Sequence, residues 1–368
     1  MTKQYGPSIY IPTDKNIFDA LQHKKITQSI LVSFLRKRGI FVSNAASKDE
    51  LVNYTAALTF DFNDFKEIAK HLENPNRKEK VTRTSIQTTS STQEVLAACQ
   101  QVKDKSEDEG DTIKVVKDGD TTKLIVTYTD TDFTKTELRQ RTRKTCEVDV
   151  MTGDNEVTLR MPANKKAREV ALKFKTNLES IKGEVLQEEV VSLENIVKPE
   201  ARSYFFDMLI KSINGYSFDN VSHVDVFHDP DSSLDEEDDD EADGSSFAGY
   251  ITKAALAGSG VLESSEFNQL HNRGFYIYRI IWTSIESLTG GDKIELEAQF
   301  GSPSSCTDFK YLLRGVFNYN DRNKAHNVTK RTPTPREVNQ INELLEKAAK
   351  TAYEAVIKKF VESENEKN

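Results

Sequence analysis

The clearest hydrophobic pattern in the chain lies in residues 26–58. Apolar residues recur there at helical spacing and predict an amphipathic helix over Ile26–Arg38. Gly39 follows at a position where helices commonly end, and a short apolar stretch after it predicts an extended piece. Ser47, with Glu50 three positions later, matches a capping box and predicts the start of a second helix. The segment therefore predicts two helices joined by an extended linker.

Further along, the hydrophobic period changes to two, which is typical of half-buried strands. This pattern begins at Thr112, and Asp118-Gly119 is a strong hairpin signal within it. The rest of the pattern predicts helices over 65–72, 93–102, 165–181, 199–215, 263–272, 307–317 and 335–362, and strands over 145–151, 156–161, 221–227, 275–287 and 293–300.

These elements indicate an α+β fold, with a small N-terminal helical module, a mixed antiparallel-sheet-and-helix body and a long C-terminal helix. Residues 229–246 are expected to form a disordered acidic loop within the body. The expected domains are a helical module over 1–75, a linker with one helix over 76–111, an α+β body over 112–320, and a basic loop with the long helix over 321–368.

The N-terminal pattern resembles the SAP and helix–extended-loop–helix family of small DNA-binding modules. The matching residues are Arg36, Lys37 and Arg38 before Gly39, Ile40 and Val42 after it, Ser43, and Lys48 ahead of the second helix. The resemblance implies that Arg36, Lys37, Arg38 and Lys48 contact the phosphate backbone of DNA. An ordinary helical hairpin, used for packing or for contact with a partner, is the alternative interpretation of the same pattern.

Charge is distributed very unevenly along the chain. The net charge is −9, but ten acids and no base lie between Asp229 and Asp243, so the rest of the chain carries +1. Between Phe133 and Lys175 there are eleven bases and six acids. Since arginine forks suit phosphates, this region predicts a nucleic-acid surface. Its candidate residues are Arg139, Arg141 and Arg143, which would share one face if extended, together with Lys165, Lys166 and Arg168.

Other chemistry has weaker support in the sequence. Three widely spaced cysteines favour a reducing cytoplasm, and no apolar run is long enough for a membrane span. His223 and Asp225 on one strand, or Glu295 and Glu297 on another, have metal-ligand types, but solvated strand faces explain both pairs. No phosphate loop, dinucleotide fingerprint or zinc motif occurs, and no cofactor is expected.

The sequence thus predicts a non-catalytic protein that binds nucleic acid, DNA in preference to RNA. The acidic tract would cover the basic region around Arg139–Lys175 and compete with nucleic acid for it, or would serve solubility alone. The first alternative function is a protein-interaction subunit that docks a partner through its C-terminal helix. The second is a divergent metal-dependent nuclease.

Overall fold

The chain folds into two compact units. The computed structural model describes residues 12–72, 79–107, 110–119, 121–135, 137–229, 252–258, 260–288 and 290–362. The first unit takes in the described residues within 1–78, 90–152 and 166–185, and the second those within 79–89, 153–165 and 186–368. The chain therefore passes from one unit to the other several times.

Helices and strands alternate along most of the chain. The helices are α1 (Asp14–Gln22), α2 (Gln28–Lys37), α3 (Lys48–Ala56), α4 (Phe62–Leu72), α5 (Thr92–Glu107), α6 (Glu137–Gln140), α7 (Lys165–Lys182), α8 (Pro199–Lys211), α9 (Ser265–Asn272) and α10 (Pro335–Val356), which continues as a π-helix over Ile357–Glu362. The strands are β1 (Val81–Gln87), β2 (Thr112–Asp118), β3 (Thr121–Thr131), β4 (Arg141–Thr152), β5 (Glu156–Pro162), β6 (Gln187–Glu189), β7 (Tyr216–Phe227), β8 (Lys253–Ala257), β9 (Tyr276–Glu286), β10 (Lys293–Ser302), β11 (Thr307–Phe317), β12 (Tyr319–Asn320) and β13 (Ala325–His326). The predicted α+β class is confirmed.

Helices α1–α4 share one apolar core in the first unit. Its fully buried side chains include Leu21, Ile26, Leu31, Leu35 and Val52. The helix starts are fixed by side chains that satisfy otherwise unpaired backbone N–H groups, and the predicted capping box at α3 is present. None of the described helices has the length and apolar character needed to cross a membrane.

The first unit also contains the antiparallel strands β2, β3 and β4. One face of these strands is apolar and packs beside α5, with Leu124, Val126, Val148 and Val150 fully buried. The side chains alternate along each strand, so the opposite face carries the intervening polar residues. Strands β2–β4 therefore have an apolar face covered by α5 and a polar face that is open.

In the second unit the strands run in the order β5, β1, β11, β10, β9, β7, β8, with neighbouring strands antiparallel and β6 paired to β1. Helices α8 and α10 pack against this sheet and against each other. The core between them is rich in aromatic rings, among them Phe205, Phe206, Trp282 and Phe300. Burial of such large rings supplies much of the driving force for this packing.

A buried ion pair ties α10 to the sheet of the second unit. The guanidinium of Arg160 on β5 donates to both carboxylate oxygens of Glu346 on α10, at 2.5 and 3.0 Å. The hydroxyl of Tyr311 on β11 also donates to Glu346. All three side chains are buried. Arg160, one of the eleven bases counted in the sequence, thus has a partner inside the fold.

Two predicted elements are wrong. Residues 307–317 form strand β11, where the sequence predicted a helix, because Phe309, Tyr311 and Leu313 alternate into the core as the strand pairs with β10. The predicted linker over 76–111 contains β1, which is rich in Thr and Ser and whose backbone pairs with β5 along its length and with β11 at Val81. Of the acidic tract, only Asp229 belongs to the described residues, so the expected disordered loop lies outside them.

The buried ion pair generates a stability prediction. Glu346→Ala should lower the free energy of unfolding by about 3–5 kcal/mol, because it leaves Arg160 buried without its counter-charge. Urea unfolding of the whole chain measures the loss. Glu354→Ala, at an exposed position on the same helix, is the matched control and should cost less than about 0.5 kcal/mol. Equal losses in the two variants would show that the pair does not hold α10.

Candidate nucleic-acid interface

The basic residues of the N-terminal module differ in how far their charges are already satisfied. Lys37 pairs with Glu67 at 2.6 Å. The ammonium of Lys48 donates to the carbonyl oxygens of Gln22 and His23, both at 3.1 Å, and so completes the end of α1. These lysines therefore stabilise the module itself.

Arg38 is also engaged within the helical module. Its guanidinium donates to the carbonyl oxygen of Thr59 at 2.6 Å, lies 3.5 Å from the Asp64 carboxylate, and covers the rings of Phe34 and Phe60. Arg36, on the same turn, is exposed and has no ion pair among the described residues. Of the four residues suggested by the SAP resemblance, Arg36 is the one whose charge is left open to solvent.

A more open basic surface lies on the polar face of β3 and β4. Arg141 stands opposite Thr131, Arg143 opposite Thr129, and the register continues through Thr145 opposite Thr127. Arg141 and Arg143 are exposed, and neither forms an ion pair within the described part of the chain. The alternation predicted from the sequence is therefore present for these two arginines. We call the surface formed by Arg141, Arg143, Thr127, Thr129 and Thr145 the arginine face.

Arg139 does not lie on the strand that carries Arg141 and Arg143, because its backbone is helical. It lies in α6, the short helix before β4, and its side chain is outside the described residues. Leu138 of the same helix packs against the core of α1–α4. The start of β4 is thus anchored to the helical module, which fixes the position of the arginine face within the first unit.

An exposed aromatic ring lies in the connection that follows β3 at the Arg141 end of the arginine face. Phe133, in the connection between β3 and α6, is 77% exposed. The backbone N–H of Asp132 donates to the carbonyl oxygen of Gln140 at 2.8 Å, which closes this connection at its base. Phe133 therefore directly follows Asp132, the residue whose backbone is hydrogen-bonded to Gln140, and Gln140 directly precedes Arg141. Phe133 was not among the site residues predicted from the sequence. An aromatic residue within a polar connection is the sequence feature that could have indicated it.

The other end of the same sheet face is acidic and internally neutralised. Lys123 on β3 lies 3.4 Å from Glu147, which follows Thr145 on the same face of β4. The neighbouring carboxylates, Asp149 first and then Glu147, raise the pKa of Lys123. Since the charges at this end compensate one another, the open positive charge of the face ends near Thr145.

Most predicted bases on α7 are paired. Lys166 contacts Asp111 at 2.5 Å and Glu169 at 3.2 Å, and burial, which by itself would lower the pKa of Lys166, is outweighed by these carboxylates. Lys173 also pairs with Glu169. Arg168 is exposed, and Lys165 is exposed without an ion pair to any described residue. Because Lys166, Lys173, Lys175 and Lys182 have carboxylate partners on α7 or elsewhere in the first unit, α7 offers less open charge than its sequence suggests.

The carboxylates considered as metal ligands are engaged with cations. Glu297 is buried and accepts from Lys80, Arg279 and Arg314. Burial alone would raise the pKa of Glu297, but these hydrogen bonds and the charge of Lys80 lower it to about 2. Glu295 pairs with Arg314 at 2.8 Å. The carboxylates are therefore held as ion-pair partners.

The histidine candidates give no ligand cluster either. Asp225 pairs with Arg279 at 2.8 Å, and the Nδ1 of His223 lies 3.1 Å from the Ser222 hydroxyl. Among the residues that the structure describes, no three His, Cys, Asp or Glu side chains are grouped so that they could hold a metal ion.

Glu297 gives the protein a predictable acid sensitivity. Its pKa lies below the ordinary 4.5, so the unfolded state binds its proton more tightly. The stabilisation by the ionised Glu297 carboxylate is complete above about pH 4.5 and is lost as the pH falls toward 2. Its full size is on the order of 3 kcal/mol. Glu297→Gln should therefore be less stable near neutral pH and show a flatter stability–pH curve in urea titrations. Glu354→Gln, at an exposed position, is the control; parallel curves for wild type and Glu297→Gln would contradict the expectation.

Arg36 and Arg38 form a natural pair for separating binding from stability. Arg38→Ala should lower the free energy of unfolding by about 1–2 kcal/mol, since it removes a hydrogen bond to Thr59 and the contact with two rings. Arg36→Ala should change it by less than about 0.5 kcal/mol. Thermal unfolding followed by circular dichroism distinguishes the two; similar midpoints would show that the Arg38 contacts carry no net stability.

Comparison with known proteins concerns the N-terminal helices. Residues 15–78 match the sequence model of a family described as the GAPS4b protein N-terminal domain. This match covers nearly all of α1–α4, and its description names no ligand and no activity. No curated protein matches the chain. The segment that resembles a SAP module is therefore similar in sequence to the GAPS4b N-terminal domain, and the SAP resemblance stays a prediction beside that match.

Proposed function

We propose that this protein binds nucleic acid without cleaving it, and that the arginine face is its principal contact with the phosphate backbone. The observation that carries the proposal is the pair Arg141 and Arg143, exposed on one face without ion pairs in the described structure. Four of the other eight basic residues suggested by the sequence, Lys37, Arg38, Lys48 and Lys166, are engaged by nearby acids or carbonyl groups. Arg141 and Arg143 are therefore two open cations that share one strand face, where an external anion can contact both.

The spacing of the two arginines suits a repeating anion. Two residues of extended strand separate their Cα atoms by about 7 Å and place both side chains on the same side. Each guanidinium is planar and can hold a phosphate with two parallel hydrogen bonds. The neighbouring Thr127, Thr129 and Thr145 carry hydroxyl groups that can also donate to phosphate oxygens. Arg36 adds a further open cation, on the helical module.

The preference for DNA rests on the SAP resemblance of residues 26–58 and is part of the same proposal. The alternative of a protein-docking C-terminal helix has less support, because the apolar side of α10 is already used. Its residues Ile341, Leu345, Ala352 and Val356 are buried in the core of the second unit. A partner would have to recognise the polar side of this helix, which is a poorer source of binding energy.

Salt-dependent binding tests the proposal. Arg141→Ala with Arg143→Ala should weaken binding to every nucleic-acid sequence alike and should reduce the slope of log K against log salt by about 1.5–2, because two phosphate contacts are lost. The measurement is a fluorescence-anisotropy titration at several salt concentrations.

The matched control removes two positive charges elsewhere. Lys347→Ala with Lys350→Ala changes two exposed lysines of α10 that have no ion pair among the described residues, and it should leave affinity and slope nearly unchanged. Arg141→Lys with Arg143→Lys should retain the slope but lose part of the affinity, since a lysine cannot form the bidentate contact. If the double alanine variant binds as wild type does, the arginine face is not the binding surface.

A further inference from the structure

The connection at the Arg141 end of the arginine face has one feature that phosphate binding does not use, the exposed ring of Phe133. A phenylalanine that is 77% exposed gains little from folding, because its apolar surface stays in water. The ring belongs to a connection whose base is closed by the Asp132–Gln140 backbone hydrogen bond. It stands at the end of the face where Arg141 begins β4 and where the acids of the other end are furthest away.

The face itself is open and of limited length. From Thr145 to Arg141 it extends about 14 Å along β4 at the usual rise of a strand. Its side chains are threonines and arginines, and Thr129, Arg141, Arg143 and Thr145 are all exposed. An extended chain of two or three nucleotides matches a surface of this size.

We propose that the arginine face binds a single strand of nucleic acid, with Phe133 stacked on an unpaired base and with Arg141 and Arg143 holding the adjacent phosphates. This inference rests on the proposed function and specifies its substrate class. A single strand can turn a base toward an aromatic ring, and such stacking tolerates any base identity. In a duplex the bases are already stacked on each other, so Phe133 would have no base to contact and the arginines alone would contribute to the binding free energy.

The proposal assigns different roles to the ring and to the two cations. Phe133→Ala should weaken binding to a single strand roughly 5- to 100-fold. It should leave the salt slope unchanged, since no phosphate contact is lost. Its effect on binding to a duplex should be small. The double arginine variant should instead lower the salt slope for both forms of nucleic acid.

Tryptophan fluorescence provides a direct readout of stacking. The chain has a single tryptophan, Trp282, and it is fully buried, so its emission forms a constant background. Phe133→Trp places a reporter at the site while keeping an aromatic ring there. Oligothymidylate should quench this reporter on binding, whereas the same strand annealed to its complement should not. Phe62→Trp, at another exposed phenylalanine of the first unit, is the matched control and should show no quenching with either probe.

The outcomes separate this inference from the function on which it rests. Quenching of Phe133→Trp by oligothymidylate alone, with an unquenched Phe62→Trp, supports it. Arginine-dependent binding of oligothymidylate without quenching overturns the stacking role and leaves the proposed function standing. Equal quenching by strand and duplex overturns the restriction to single strands. The absence of arginine-dependent binding to either probe overturns both proposals.

Discussion

The packing of the second unit depends on one buried charge, the carboxylate of Glu346, which must stay beside its partners. Glu346 sits inside the fold, and the guanidinium of Arg160 together with the hydroxyl of Tyr311 supplies its hydrogen bonds, while the guanidinium of Arg83 lies 3.9 Å away. Sliding α10 by one turn, about 5.4 Å, would separate the carboxylate from these partners and leave an ion in an apolar interior. The ion pair therefore sets the register of the long helix against β5 and β11, and the aromatic core can pack in one arrangement. Because this register also directs the apolar side of α10 inward, it removes that side from any external partner.

Elements with a strong local signal were predictable from the sequence, and elements defined by distant partners were not. The capping box of α3 and the Asp118-Gly119 turn act through neighbouring residues, so their patterns are visible in a short window. Residues 307–317 contain apolar residues whose spacing is compatible with helix or strand, and pairing with β10 decides between them. Strand β1 is rich in Thr and Ser, which suggested a linker, although β-branched threonine suits a strand once neighbours exist on both sides.

The candidate site was predictable to the extent that charge alternation reveals it. Arg141 and Arg143 follow from their spacing on one strand, and they lie on one exposed face. The sequence could not show which other bases are already neutralised, because their partners are remote: Lys166 meets Asp111, and Arg160 meets Glu346 from near the other end of the chain. Counting bases in a window therefore overestimates the open charge. The ring of Phe133 was not predicted as part of the site, because its exposure in the folded chain cannot be read from the sequence.

The position of β1 has a consequence for how the protein is made. One side of β1 pairs with β5, whose residues lie 69–81 positions later. The other side pairs with β6 at Ser85–Gln87 and with β11 through Val81 and Tyr311, which are 230 positions apart. At a synthesis rate of about 5–20 residues per second, roughly 10–45 s pass before that partner leaves the ribosome. During this interval the nascent β1 presents an unpaired strand edge, the kind of surface that recruits other chains. Slow translation of the region between β5 and β11 would lengthen this exposure, so the yield of folded protein in a cell should depend on codon usage there and on chaperones that shield the edge.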